Sequence, residues 1–193
     1  MKYLSRTSNY DKYPSIKISS EHRCWQGWDE ISKQLTDRIA NMPSSKKTVV
    51  VECYQGIYEE EVEANIRKIF GNAVFIKSTE AMLPQSVLNG KMKEYLTDDE
   101  LFGYLTRYTM EDYFDLSKAE TVRKRISGVK EGIVVVYGVG AAYIQSQFDV
   151  LVYADMARWE IQMRHRRNQV GNIGVDNKEE RTSLLCTAKR YVK

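Results

Sequence analysis

The sequence predicts an α/β protein in which a mostly parallel sheet lies between two layers of helices. Apolar, β-branched runs occur at Thr48–Tyr54 and within Gly132–Ile144, and such runs are typical of strands that are covered on both faces. Segments with the apolar spacing of helices stand between them. Strands that alternate with helices favour parallel pairing and a three-layer architecture.

Residues 1–78 contain two predicted helices and three predicted strands. In Trp28–Met42 the apolar residues recur every three or four positions, which predicts an amphipathic helix that Pro43 ends. Glu59–Phe70 has the same spacing and predicts the second helix. The predicted strands are the alternating segment Ser15–Ser19, the run Thr48–Tyr54 and the stretch AVFIKS at residues 73–78.

The chain from residue 79 onward alternates in the same way and ends in a polar segment. The predicted helices are Met82–Leu96, Asp99–Thr106, Ser117–Ile126 and a basic helix at residues 157–169. The predicted strands lie within Gly132–Ile144 and at Asp149–Met156. This pattern divides the chain into an N-terminal extension (residues 1–46), an α/β core (residues 47–170) and a polar C-terminal tail or linker (residues 171–193).

The composition is that of a folded domain, with 42% hydrophobic and 28% charged residues. The formal net charge of +3 is too small to indicate a nucleic-acid partner. No apolar run has the ~20 residues of a membrane-spanning helix, and no secretory signal is recognisable. The three cysteines form no CxxC pair, so we expect a reducing cytoplasm and neither a disulfide framework nor a zinc site.

The junction between a strand and a helix at CYQGIYEEEV stands where nucleotide kinases hold phosphate. A Walker loop, G-x-x-x-x-G-K-[ST], needs glycines whose N–H groups converge on phosphate, a lysine and a magnesium-binding hydroxyl. Here only Gly56 fits, and Glu59, Glu60 and Glu61 stand near the places of the lysine and the hydroxyl. Glutamates in a first helical turn also complement the helix dipole. We therefore expect a phosphate-loop position without phosphate-loop chemistry.

A second glycine motif, YGVGAA, follows the strongest predicted strand. It is similar to the dinucleotide fingerprint G-x-G-x-x-G, but Tyr143 stands at the third small position. About ten residues separate Gly138 from the next strand, which predicts too short a connection for the crossover helix of a βαβ unit. We expect Gly138 and Gly140 to allow a tight turn or a close backbone approach.

Residues that directly follow the strands are the candidate site residues, because parallel sheets bind ligands at the carboxyl ends of their strands. These are residues 52–56, 77–80, 137–141 and those from Asp155 onward. Asp155 is a candidate catalytic base or magnesium ligand, and equally a helix cap. For the arginines the alternative to an anion pocket is a solvated helix face. The candidate ligand-binding residues are Gly56, Ser78, Gly138, Gly140, Arg158, Arg164, Arg166 and Arg167.

Other reactive or aromatic residues have structural explanations. Cys53 ends a buried strand and no partner histidine is visible, so we expect a core residue. His22 and His165 are expected at the surface. Trp25 and Trp28 are expected to pack, or to form an interface patch toward a following domain.

From Gly132 to Asn168 the chain resembles the second half of uridine-kinase and phosphoribulokinase-type P-loop enzymes. In that family a strand ends in Glu-Gly, Phe-Asp follows, and a second strand ends in an aspartate before an Arg-rich helix. The matching positions are Tyr137-Gly138, Phe148-Asp149, Asp155 and the four arginines. The resemblance implies a P-loop nucleoside-kinase-like fold with phosphate-contacting arginines. Tyr137 replaces the family's glutamate and the phosphate loop lacks its lysine and hydroxyl, which argues against phosphoryl transfer.

Most of the chain also resembles the N-terminal part of certain bacterial proteins of the class I mannose-6-phosphate isomerase group. The stretches concerned are SNYDKYPSIKI, CWQGWDEI, VVVECYQG, TDDELFGYL and VYADMARWEIQ. In that group a cupin isomerase domain follows, with zinc held by histidines and a glutamate. This chain has two histidines and no H-x-H pair. The resemblance therefore implies a kinase-like front module, with the isomerase chemistry elsewhere.

These observations lead to one expected function and two alternatives. We expect a catalytically silent module that binds a sugar phosphate or nucleotide, or that supports a partner isomerase domain. The alternatives are an active nucleoside or sugar phosphotransferase with a non-standard phosphate loop, and a structural or oligomerisation domain. No metal or cofactor is expected in this segment beyond a nucleotide with magnesium. The expected partners are a C-terminal cupin domain, a second copy or a small anionic ligand, and neither nucleic acid nor a membrane.

Overall fold

The computed structural model describes residue 11, residues 13–97, residue 104 and residues 106–179. Its strands are β1 at Lys46–Cys53, β2 at Val74–Lys77, β3 at Gly132–Gly138 and β4 at Val150–Ala154. They form one sheet in the order β2-β3-β1-β4, and each neighbouring pair is parallel. The predicted α/β fold with a parallel sheet is confirmed.

Helices stand between the strands along the described chain. They are α1 at Gly27–Ala40, α2 at Glu59–Phe70, α3 at Gln85–Lys93, α4 at Leu116–Gly128, α5 at Ala141–Ile144 and α6 at Arg158–Arg166. The bounds of α2 are those that the sequence predicts. Among the residues that the structure describes, no helix combines the length and apolar character that a bilayer crossing requires.

β1 is an inner strand whose successive side chains enter two separate apolar cores. Val49 and Val51 pack with residues of α1 and α2, among them Ile39 and Ile66. Val50 enters the core on the other face. That core receives the buried side chains of α3, α4 and α5, which are Leu88, Ala119, Val122, Ile126, Ala141 and Ile144. Because both faces are covered, β1 is the continuous apolar run that the sequence shows.

The strand predicted at Ser15–Ser19 is wrong. These residues have no regular structure, and the side chains of Ile16 and Ile18 are 91% and 62% exposed. Alternation of apolar and polar residues stabilises a strand only where a sheet buries its apolar face. No core covers these two isoleucines.

The helix predicted at Met82–Leu96 is shorter than expected. α3 starts after Pro84, whose fixed φ and missing N–H suit the start of a helix and not its interior. Most of the helix predicted at Asp99–Thr106 lies outside the described residues.

The expectation that the segment after Gly138 is too short for a crossover is also wrong. β3 and β4 lie on opposite sides of β1 and both run parallel to it, so the segment between them crosses over one strand. It does so with the four-residue helix α5. Ala141 and Ile144 of this helix are buried in the same core as Val50, so that a single turn suffices to cover the middle of the crossover.

The described start of the predicted C-terminal tail lies against the core. Val170 and Ile173 are buried, and Ile173 belongs to the same apolar core as Leu88. A Cβ on Gly174 would lie 2.6 Å from Cδ1 of Leu88. After α6 the chain therefore runs back across the carboxyl edge of the sheet toward α3.

We expect Ile66→Ala to destabilise the protein by about 2–5 kcal/mol, because Ile66 is 2% exposed and its loss leaves a cavity beneath α2. The matched variant Ile16→Ala should change the free energy of unfolding by less than about 0.5 kcal/mol, since Ile16 is exposed. Urea denaturation followed by circular dichroism measures both. Equal losses would contradict the assignment of α2 to the core.

Candidate functional site

The carboxyl ends of β1 and β3 form the topological switch point of the sheet. From β1 the chain crosses to β2 on one side, and from β3 it crosses over β1 to β4 on the other. The two connections leave a crevice between them, which is where open parallel sheets bind their ligands. The loop after β1 and the YGVGAA turn after β3, both singled out in the sequence, meet here.

The Glu52 carboxylate, near the end of β1, occupies the backbone donors of the turn after β3. The N–H of Gly140 donates to its Oε1 and the N–H of Ala142 to its Oε2, each at 2.7 Å. Burial raises the pKa of Glu52 above its ordinary 4.5, while the hydrogen bonds from Ala142 and Gly140 act in the opposite direction. Two N–H groups that could bind an anion are thus bound to a carboxylate of the same chain.

Glu59, the first residue of α2, occupies the next two donors. Its Oε1 accepts a hydrogen bond from the N–H of Val139 at 3.3 Å, and its Oε2 lies 3.2 Å from Nζ of Lys77. The Ser78 hydroxyl donates to the carbonyl oxygen of Val139 at 2.7 Å. At the end of β2, Ser78 therefore binds the turn after β3 directly, and Lys77 binds it through Glu59.

Gly138 and Gly140 are required by close packing. Both have positive φ, 110° and 76°, which residues with side chains rarely adopt. A Cβ on Gly138 would lie 2.6 Å from Oγ of Ser78, and one on Gly140 would lie 2.6 Å from the Phe114 ring. Side chains of the protein itself fill the space that these glycines leave. The two glycines are brought to the switch point together with Ser78.

Gly56 is held in place by α6. Nη1 of Arg164 donates to the carbonyl oxygen of Gly56 at 2.9 Å, and the guanidinium lies 3.7 Å from the centroid of the Tyr58 ring. Gly56 has φ +91°, and a Cβ there would meet Cγ2 of Ile161 at 2.9 Å. Arg164 is therefore a clamp between α6 and the loop after β1.

The other three candidate arginines do not join Arg164 on this loop. Arg158 is exposed, and Arg166 lies 5.9 Å from the Trp159 ring centroid. Arg167 pairs with Glu160, with 3.6 Å between Nη1 and Oε1. All three residues are exposed.

Asp155 is exposed, and its Oδ1 accepts the N–H of Met156 at 2.7 Å. The residue at the cap position of α6 is Ala157, so the alternative that Asp155 caps this helix is wrong. The structure gives no ion pair between Asp155 and the arginines of α6 in the part of the chain it describes.

A groove of about 480 Å³ lies open beside the closed switch point. One wall is the loop after β1 with the start of α2, and the other is the segment at residues 169–178. The Tyr58 hydroxyl joins the two walls by donating to Oε1 of Gln169 at 2.9 Å. The groove is lined by the amide side chains of Gln55, Gln85, Gln169 and Asn172, and by the charged residues Glu59, Glu60, Asp176 and Lys178.

The remaining singled-out residues are structural. Cys53 is buried, as predicted, and burial raises the pKa of its thiol to about 12. His22 is exposed as predicted, whereas the prediction for His165 is wrong: its side chain is fully buried in α6. Burial also raises the pKa of the Tyr137 hydroxyl to about 12.

The tryptophans of the N-terminal region differ in their surroundings. Trp25 is exposed, while Trp28 is partly buried and its Nε1 donates to Oε1 of Glu61 at 3.0 Å. Trp28 thereby fixes α1 to the first turn of α2. Across the described residues, no group of three or more His, Cys, Asp or Glu side chains could hold a metal ion.

The sequence did not indicate which side chain occupies the backbone donors of the turn after β3. Glu52 and Lys77 fall inside the segments expected at the ligand edge, but neither is one of the eight candidate ligand-binding residues. The signal for Glu52 was a charged residue near the end of an otherwise apolar run, VVVEC. A carboxylate at such a position must find hydrogen-bond donors, because an unpaired buried charge is strongly unfavourable.

Comparison with known proteins matches the chain to a protein family. A protein family described as a domain of unknown function, DUF8485, matches residues 27–191. The chain belongs to this family. No curated protein and no solved structure matches it. The DUF8485 match begins at the first residue of α1 and spans the whole sheet, so the switch point and the groove both lie within the family's domain.

We expect Arg164→Ala to destabilise the protein by about 1–3 kcal/mol, because it removes a charge-assisted hydrogen bond to Gly56 and the stacking on Tyr58. Arg158→Ala is the matched control and should have an effect within about 0.5 kcal/mol, since Arg158 is exposed. Arg164→Lys should recover only part of the loss, because an ammonium cannot stack as a guanidinium does. Chemical denaturation distinguishes the clamp from a solvated arginine, for which all three variants would behave alike.

The raised pKa of Glu52 predicts a pH dependence with a definite sign. The folded state binds a proton at Glu52 more tightly than the unfolded state, so acidification favours folding at this group. The stability of the wild type relative to Glu52→Gln should therefore increase as the pH falls from 7 through the folded pKa toward 4.5.

Glu80→Gln is the control for this experiment. The hydrogen bond from Arg125 lowers the pKa of Glu80 below 4.5, so the wild type should keep its advantage over this variant down to about pH 4.5 and lose it below. Unfolding free energies of the wild type and the two variants, measured at several pH values, test the predicted pH dependence of both differences. A difference between the wild type and Glu52→Gln that shrinks with acidification would show that Glu52 is not desolvated.

Proposed function

We propose that this chain is a small-molecule-binding module that does not transfer phosphoryl groups. We further propose that it serves as the accessory front part of a mannose-6-phosphate-isomerase-type protein. The observation that carries the first part is the occupation of the switch point by Glu52 and Glu59, with an open groove directly beside it. The second part rests on the resemblance of five sequence stretches to the front part of that group.

Phosphate would have to displace two carboxylates to reach the donors of the switch point. The N–H groups of Val139, Gly140 and Ala142 and the Lys77 ammonium already contact Glu52 or Glu59. Two like charges about 4 Å apart repel by about 1 kcal/mol in water and by about 4 kcal/mol at an effective dielectric constant of about 20. A phosphate held beside either carboxylate would experience this repulsion.

The arrangement also lacks the features that phosphoryl transfer uses. Catalysis of that reaction depends on positioning and on cations that stabilise the charge of the transferring group. Around the described edge, Lys77 is paired with Glu59 and Arg164 is bound to Gly56 and Glu160. Asp155 lies outside the groove lining. The described residues therefore favour ligand binding over phosphotransfer.

The groove has the volume of a binding site. Its volume of about 480 Å³ falls in the range of small-molecule pockets. Its walls come from different parts of the chain and are joined by the Tyr58–Gln169 hydrogen bond. Both walls are anchored, one by Arg164 and the other by the buried side chains of Val170 and Ile173. A ligand would therefore meet a largely pre-formed surface.

A thermal-shift experiment tests the first part of the proposal. ATP and GTP with magnesium should give no magnesium-dependent stabilisation, whereas a ligand at 100 times its dissociation constant stabilises a protein by about 2.7 kcal/mol. A clear magnesium-dependent shift with either nucleotide would overturn the closure of the switch point to phosphate, on which the proposal depends, and would favour the phosphotransferase alternative.

Ligand-observed NMR with a library of small polar compounds tests the groove itself. Compounds that bind the wild type should lose binding to Gln55→Trp, which fills the groove, and keep binding to Gln147→Trp, whose exposed position lies outside the lining. Absence of any binder that Gln55→Trp displaces would overturn the assignment of the groove as the binding site.

A further inference from the structure

We propose that the groove takes an unphosphorylated polyol, such as a free sugar, and prefers an ammonium-bearing polyol to a phosphorylated one. This inference rests on the proposed function, because it assigns a ligand class to the same groove. It departs from the sugar phosphate or nucleotide that the sequence suggested. The hydrogen-bonding groups and the charge of the groove lining point to it.

The hydrogen-bonding groups of the groove match hydroxyl groups. Four of the lining side chains are amides and two, Tyr58 and Thr79, carry hydroxyls. Each amide or hydroxyl both donates and accepts hydrogen bonds, as does each hydroxyl of a polyol. Among the described contacts, Oε1 of Gln169 accepts from Tyr58 and Oε1 of Gln85 accepts from the N–H of Asp176. The NH₂ groups of these two amides are the sides that a ligand oxygen would meet.

The charge of the lining disfavours anions. Glu59, Glu60 and Asp176 contribute carboxylates, and Lys178 contributes one ammonium group. Lys77 neutralises part of the charge of Glu59 from behind the groove, at 3.2 Å. With Glu59 thus paired, Glu60 and Asp176 still outnumber Lys178. The resulting potential attracts a cationic ligand and repels a phosphate.

Isothermal titration with mannose, glucosamine and mannose 6-phosphate tests the inference. We expect glucosamine and mannose to bind at least about tenfold more tightly than mannose 6-phosphate at low ionic strength, and added salt to narrow the difference between glucosamine and mannose 6-phosphate. Glu60→Lys should strengthen mannose 6-phosphate binding and weaken glucosamine binding. Glu120→Lys, an equal charge change at an exposed position of α4 outside the lining, should leave the order unchanged. If Glu60→Lys fails to fold, Glu60→Gln replaces it. This variant should change the affinities for mannose 6-phosphate and glucosamine in the same directions, but by smaller factors.

The outcomes separate this inference from the proposed function. Tighter binding of mannose 6-phosphate than of mannose, lost in Gln55→Trp, would overturn the inference and leave the groove as the binding site. If no sugar binds while other compounds bind and are displaced by Gln55→Trp, the inference alone fails. If neither the sugars nor the compound library binds, the inference and the proposed function fail together.

Discussion

The two hydrogen bonds to the Glu52 carboxylate hold the carboxyl edge of the sheet together. They join β1 to the start of α5, and so to the turn that contains Gly138 and Gly140. α5 is a helix of four residues, and a helix this short has almost no internal hydrogen bonds with which to hold itself. The crossover from β3 to β4 therefore depends on a carboxylate from the strand that it crosses. The same carboxylate helps to fix Val139, the residue before Gly140. Val139 is also held by hydrogen bonds to Glu59 and Ser78.

This constraint changes how the glycine-rich turn should be understood. Because Glu52 and Glu59 are attached to the chain, they compete for the backbone donors at a high effective concentration that a dissolved anion must exceed. Glu59 also competes with a dissolved anion for the ammonium group of Lys77 at this edge. A sheet edge can therefore have the glycines, the lysine and the helix N-terminus of a phosphate site and still not be open to phosphate, because carboxylates of the same chain occupy its donors. The groove beside it remains open because its walls are held by Arg164 and by the buried residues Val170 and Ile173.

The sequence predicted the core of the fold well and the site only in part. Runs such as Thr48–Tyr54 and the spacing in Glu59–Phe70 report burial directly, and burial decides strands and helices in the middle of the chain. The same reasoning failed at Ser15–Ser19, where apolar and polar residues alternate but no sheet buries the apolar side chains. It placed Gly138, Gly140 and Ser78 near the switch point because strand ends converge. Which donor each carboxylate takes, and the buried location of His165, depend on three-dimensional packing that spacing does not encode.

The short crossover leaves one strand of the sheet with little cover. α5 lies over β1, while Leu151 and Tyr153 of β4 are 47% and 55% exposed on the face that they share with Val50 and Glu52. In the described sheet β4 pairs on one side only. Few buried contacts and an open edge are the conditions under which a segment opens without the rest of the protein unfolding. Amide hydrogens of β4 should therefore exchange with solvent well before those of β1.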